Sequence, residues 1–398
     1  MLLAACGQNA GHAPDAGSVD AGHVVGRDAA SAVDAAAVLD SPDARTGAAD
    51  AAAGDPGDAA ESASDAAAAP DADLPDAGGP DADTPDAAMP PGPDAGPAFT
   101  GCRADPPAGA ALPAAYPVYA GTCPTLTTFP AELHLTSRGN DRLFKVVVPA
   151  SREPGERFAL AFVWHWLQGS VDDAASILQL QLAADRQRII FVLPEPKGEL
   201  LFQWPFSVLD GSDRIDEEVQ FFDDLLACVA AAHPEINPGC ITSLGISAGA
   251  LFNDQLAPRR SERLANFVSL SGGVGNVAKG WDGAARHLPA VVLWGGDGDN
   301  YNGLYDFAQG SKKLEDELTG EGELFVECIH NCGHAVPPFL VSPGGTLFET
   351  MWEFALDHPY WIPQGTSPYQ TKGLPLDFPD WCGMGKGSAA PRTDPSGC

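Results

Sequence analysis

The stretch Cys240-Ile241-Thr242-Ser243-Leu244-Gly245-Ile246-Ser247-Ala248-Gly249-Ala250-Leu251-Phe252 decides how this chain is read. Its first five residues are a short, mostly apolar strand, and its last five open a helix. Between them, Gly245-Ile246-Ser247-Ala248-Gly249 spells G-x-S-x-G. A strand that turns sharply into a helix at such a motif forces the serine into strained backbone geometry and lifts its Oγ above the sheet edge. The flanking glycines follow from crowding, because a side chain at either position would collide with the turn. Ser247 is therefore the candidate nucleophile. The bland alternative, a structural Gly-Ser turn, is weakened by the strand–helix setting and by the Asp and His residues downstream.

Outward from this motif the chain alternates. Apolar runs at 144–149, 158–164 and 189–193 read as strands, the last continuous enough for a parallel strand covered on both faces. Ile215, Val219, Phe222, Leu226 and Val229 recur at helical spacing. Beyond the motif, strands are expected at 267–271, 290–294 and 324–328, and helices at 307–318 and 346–358. Strands alternating with helices predict an α/β fold with an open, mostly parallel sheet and helices on both faces. The last segment, 359–398, is rich in proline and carries two tryptophans and two cysteines. It reads as an irregular appendage pinned by a disulfide.

In such a sheet, functional groups gather at the carboxyl ends of the strands. Strand 290–294 is followed by Gly295-Gly296-Asp297-Gly298-Asp299, and strand 324–328 by Ile329-His330-Asn331-Cys332-Gly333-His334. The order Ser…Asp…His suits a nucleophile, an orienting acid and a general base. Asp299 is favoured as the acid, because the glycine turn leaves it enough loop to swing toward the histidine; Asp297 is the alternative. His334 is favoured as the base, and His330, closer to the strand end, reads as structural. An oxyanion hole needs two backbone N–H groups. Ala248 supplies one, and the loop His165-Trp166-Leu167-Gln168-Gly169 supplies the other, with Leu167 N–H the first choice and Trp166 the fallback.

These features together resemble the secreted polyhydroxybutyrate depolymerase and feruloyl/acetylxylan esterase group of α/β-hydrolases. The residues that carry the likeness are Val147-Val148-Pro149-Ala150, the His165 loop, Gly-Ile-Ser-Ala-Gly, the cysteines at 228 and 240, and Gly333-His334, within about residues 140–358. The resemblance implies serine-dependent hydrolysis of carboxylic esters, of the polyhydroxyalkanoate or plant and sugar type, with no cofactor and no metal. Two departures stand out. Trp166 occupies a position where the group's His-Gly loop usually has glycine, and Ala250 replaces a common second glycine after the elbow.

Composition divides the chain. Residues 1–98 hold eighteen Asp and Glu against Arg27 and Arg45, with no aromatic residue before Phe99. So little apolar bulk cannot offset the entropy of ordering, and a disordered acidic linker is expected over 7–98. Pro70, Pro75, Pro80 and Pro85 stiffen it toward an extended form. The opening residues 1–6 end in Leu3-Ala4-Ala5-Cys6, which resembles a bacterial lipobox and makes Cys6 a candidate acylation site in a shortened signal. Residues 99–398 are then the catalytic domain, expected to be a monomer at the cell envelope or outside the cell, with membrane contact only through a lipid anchor. Of the net charge of −32, −16 falls on the part from Phe99 onward, which argues against nucleic acid or an anionic membrane surface as a ligand.

Apart from Cys6, eight cysteines remain: Cys102, Cys123, Cys228, Cys240, Cys328, Cys332, Cys382 and Cys398. An even number clustered in near pairs predicts disulfides in an oxidising compartment. Sequential pairing is expected, with Cys228–Cys240 the best-supported pair. Two other functions compete with ester hydrolysis. His330, Cys332 and His334 could ligate zinc, and Asp297-Gly298-Asp299-Asn300 weakly resembles a calcium loop. The fold could also serve as a non-catalytic surface module that binds carbohydrate or a partner.

Overall fold

The computed structural model describes residues 101–198, 203–339, 345–394 and 398. Cys6 and the linker expected over 7–98 lie outside the described residues. In chain order the strands and helices are β1 (Leu133–Ser137), β2 (Asn140–Val147), β3 (Phe158–Trp164), α1 (Val171–Ile177), α2 (Leu180–Gln187), β4 (Ile189–Pro194) and α3 (Ser212–Ala232). Then follow β5 (Ile236–Ile246), α4 (Ala248–Arg259), β6 (Asn266–Leu270), β7 (Ala290–Trp294), a small hairpin of β8 (Asn300–Tyr301) and β9 (Tyr305–Asp306), and α5 (Phe307–Glu321). The chain ends through β10 (Phe325–Ile329), α6 (Glu349–Asp357), α7 (Pro368–Lys372) and β11 (Cys382–Met384).

Nine strands form one sheet in the order β1-β2-β4-β3-β5-β6-β7-β10-β11. The run from β4 to β10 is parallel, while β1, β2 and β11 join antiparallel at the edges. Alternation along each strand feeds two cores. In β3, Phe158, Leu160, Phe162 and Trp164 face α3, α4 and α5, whereas Ala159, Ala161 and Val163 face α1, α2 and α6. All seven residues of β3 are buried, which is why this strand reads as an unbroken apolar run. The arrangement is the α/β-hydrolase fold, as expected. Among the described residues no helix is long and apolar enough to cross a membrane.

Several boundaries differ from expectation. β2 begins at Asn140, pairing with a β1 strand that the sequence reading left out. The helix expected to stop at 318 continues to Glu321 and ends on Gly322 in the left-handed region. The C-terminal appendage is not wholly irregular: Cys382–Met384 adds an antiparallel edge strand to β10. Three residues are too few to show a period-two pattern, so pairing rather than sequence defines that strand.

The disulfide pairing is corrected outright. The four bonds are Cys102–Cys240, Cys123–Cys228, Cys328–Cys382 and Cys332–Cys398, and none is a pair that the expected order, first with second and third with fourth, would give. Cys228 and Cys240 are twelve residues apart but belong to opposite layers. Cys228 on α3 packs in the core on one face of the sheet, and Cys240 on β5 packs in the core on the other. Each instead meets a cysteine of the segment preceding β1, so that segment is tied to both sides of the sheet. Cys328 and Cys382 are direct cross-strand neighbours, with Cα atoms 4.1 Å apart.

Candidate active site

The site forms where β5, β6, β7 and β10 end. Ser247 sits between β5 and α4 with φ 54° and ψ −120°, the strained turn expected of the motif. Its N–H donates to the carbonyl of Leu270 at the end of β6, at 2.9 Å. The two motif glycines are explained by contact. A Cβ at Gly245 would overlap the backbone of Gly249 and Ala250, and one at Gly249 would overlap the carbonyls of Trp164 and His165.

Ser247 Oγ lies 2.8 Å from His334 Nε2, and His334 Nδ1 lies 2.7 Å from Asp299 Oδ1. Asp299 is wholly buried. Its other oxygen, Oδ2, accepts from Gly295 N–H and from the Ser271 hydroxyl, each at 2.8 Å. Three donors converge on one carboxylate in a dry setting, where charge-assisted hydrogen bonds are strongest. Phe307, the first residue of α5, stacks on the His334 ring with centroids 4.2 Å apart, and Tyr301 stands edge-on to it.

Asp297 and His330 are placed elsewhere. Asp297 is exposed and pairs with Lys312 at 2.8 Å, which holds its carboxyl below the usual range. His330 is buried, accepts the Cys332 N–H on Nδ1, and is pushed down to about 4 by burial, so it is a neutral packing residue. Cys332 is spent in its bond to Cys398. Among the described residues no group of three His, Cys, Asp or Glu side chains is gathered as a metal site.

The loop after β3 is braced from several sides. His165 is buried, with Nδ1 2.9 Å from the Trp166 carbonyl and Nε2 3.2 Å from Glu195 Oε2. Trp204 Nε1 donates to the His165 carbonyl at 2.8 Å, and Gln168 N–H donates to the Gln203 side chain at 2.9 Å. The Trp166 ring lies back across Gly169, where any Cβ would strike it. Leu167 turns the other way and, with Ser247 and Ala248, lines a cleft completed by Phe206, Leu251, Val277, Tyr301, Leu304, Tyr305 and Phe307. Neither Ala248 N–H nor Leu167 N–H is bonded to the backbone among the described residues.

Sequence reading missed Ser271, Trp204, Tyr301 and Phe307. Ser271 directly follows a strand and precedes Gly272-Gly273, a pattern that any strand exit shares. Trp204 lies in a connection with no periodic pattern, so only its packing reveals what it holds.

No family model and no curated protein matches the chain. Solved structures do. The native form of a protein called sOPH superposes with a TM-score of 0.51 at 16% identity, covering 68% of this chain and 99% of that one. Native pOPH gives the same TM-score, 0.51, at 16% identity and the same coverage, 68% and 99%. A ferulic acid esterase matches at a TM-score of 0.41 and 14% identity, over 52% of this chain and 91% of its own. The two superpositions above 0.5 show a likeness of architecture alone, and with the strand order they assign the chain the α/β-hydrolase fold.

Proposed function

We propose that this protein is a carboxylic ester hydrolase acting through Ser247, His334 and Asp299. The observation that carries the reading is the unbroken relay from Ser247 Oγ through the imidazole to a buried carboxylate, at 2.8 and 2.7 Å. His334 would take the Ser247 proton as Oγ attacks the ester carbonyl, and Asp299 would hold the imidazole in the tautomer that leaves Nε2 free to accept it. The tetrahedral oxyanion would be met by the N–H groups of Ala248 and Leu167; one such donor is typically worth about 10²–10³ in kcat. His334 would then protonate the leaving alcohol, and a water activated by the same histidine would release the acid from Ser247.

The cleft bears on the substrate. Its lining offers apolar side chains and two tyrosines beside Ser247, with no charged group. This favours an uncharged acyl chain, and it favours the aliphatic polyhydroxyalkanoate type over sugar esters, which need polar partners. The four disulfides support an extracellular or envelope setting.

Treatment with a fluorophosphonate, followed by peptide mapping, tests the proposal. Labelling at Ser247, loss of p-nitrophenyl ester hydrolysis, and loss of both in Ser247→Ala are expected. A folded protein that neither labels nor hydrolyses any ester of an acyl-length series would instead be a binding module. Labelling unaffected by Ser247→Ala would move the nucleophile elsewhere.

A further inference from the structure

We propose that Ser271 is a positioning residue for Asp299, fixing the rotation of the carboxylate that faces His334. The inference rests on the reading above in which Asp299 is the triad acid.

Ser271 occupies the first position beyond β6, the strand lying between the one that delivers Ser247 and the one that precedes Asp299. It touches both sides of the site. Leu270, its neighbour, accepts the Ser247 N–H, while Ser271 N–H donates to the Leu293 carbonyl of β7 at 2.7 Å. Its backbone is left-handed, with φ 48°, a conformation that a non-glycine residue adopts at a cost. The hydroxyl so aimed meets Asp299 Oδ2 at 2.8 Å, and Ser271 is 1% exposed.

The corner that forces this backbone is itself clamped. Asp254, on the helix that follows Ser247, accepts the Gly273 N–H at 2.7 Å and the Ser269 hydroxyl at 2.9 Å on one oxygen. A Cβ at Gly272 would overlap Ser269 and Asp254, and one at Gly273 would overlap the backbone of Gly310. The chain therefore has no slack between Ser269 and Gly273, and Ser271 is delivered to Asp299 from a fixed point. Gly295 N–H reaches the same oxygen from the acid's own loop. With that donor alone, Oδ2 would be held only by the loop it is meant to anchor. The Ser271 hydroxyl references the carboxylate to the sheet, and hence to Ser247.

Paired variants test this. Ser271→Gly removes the hydroxyl while accepting the left-handed backbone, and Ser271→Ala removes it while keeping the strain. Both are expected to lower kcat by roughly 10- to 100-fold with KM unchanged, the effect of losing one charge-assisted bond to a buried acid. The decisive measurement is a double-mutant cycle. In an Asp299→Asn background, Ser271→Gly is expected to cost less than about twofold, because the group it positions is gone. A Ser271→Gly enzyme within about twofold of wild type overturns the proposal, as does an equal loss in both backgrounds. Full activity in Asp299→Asn alone is a separate result, which sinks the triad assignment and this inference with it.

Discussion

Trp204 donates its indole N–H to the main-chain carbonyl of His165, joining a residue from the β4–α3 connection to the loop that presents Leu167. Both residues are buried, and the Trp204 ring is stacked on Phe252 and edge-on to Trp164. The bond holds the His165 carbonyl, while Glu195 holds the His165 ring. In Trp204→Phe the ring packing is largely kept and a buried carbonyl loses its donor, at a cost of about 1–3 kcal/mol. We expect a melting temperature several degrees lower and kcat reduced about tenfold as the Leu167 N–H drifts from its proposed place in the oxyanion hole. A variant that melts early yet turns over normally would show that the bond stabilises the loop without setting its geometry.

Asp297 and Asp299, two residues apart, should respond in opposite ways to the same substitution. Asp299→Asn replaces an acceptor of the His334 N–H with a group that can favour the wrong tautomer, and kcat should fall by about 10⁴. Asp297→Asn breaks only an exposed pair with Lys312 and should stay within about twofold of wild type. Steady-state kinetics on the two purified variants decide it, and a crippled Asp297 variant beside an active Asp299 variant would reverse the assignment.

Non-reducing peptide mapping should recover Cys102–Cys240, Cys123–Cys228, Cys328–Cys382 and Cys332–Cys398, and no Cys228–Cys240 peptide. Replacing Cys123 and Cys228 together by alanine should lower stability by about 2–5 kcal/mol, because the bond closes a long loop in the unfolded chain. Turnover of the folded fraction should be close to wild type, since both positions lie away from the cleft. Recovery of a Cys228–Cys240 peptide would contradict the layer argument.

That argument also marks how far the sequence could be read. The parallel strands are legible because burial on both faces makes them continuous apolar runs, and the same runs mark the strand ends beyond which Ser247, Asp299 and His334 lie within hydrogen-bond reach of one another. The edges were not legible. β1 and β11 owe their strand character to a neighbour's hydrogen bonds, which leave no local pattern. The cysteines misled for a related reason. Closeness in sequence says nothing about which face of the sheet a side chain joins, and Cys228 and Cys240 join different ones. Ser271 and Trp204 act through single hydrogen bonds across the fold, a kind of contact that spacing does not encode.

Asp254 gives the fold a pH dependence of its own. It is fully buried, and burial pushes its carboxyl from 3.8 up to about 7, against the opposing pull of the Gly273 N–H and the Ser269 hydroxyl. Its second oxygen, Oδ1, has no partner among the described residues and so accepts no hydrogen bond that would favour the charged form. The folded state holds that proton more tightly than the unfolded chain does. Below about pH 4 both states are protonated and Asp254 contributes fully. As pH rises from about 4 to about 7 only the unfolded state gains by ionising, and the folded state loses on the order of a few kcal/mol before the effect levels off. Asp254→Asn keeps an acceptor for Gly273 and Ser269 and cannot ionise. Denaturant melts of wild type and variant at pH 4.5, 6 and 7.5 should therefore show the variant gaining on the wild type at each step upward. Parallel curves across that range would mean that Asp254 keeps an ordinary acidity in the folded protein.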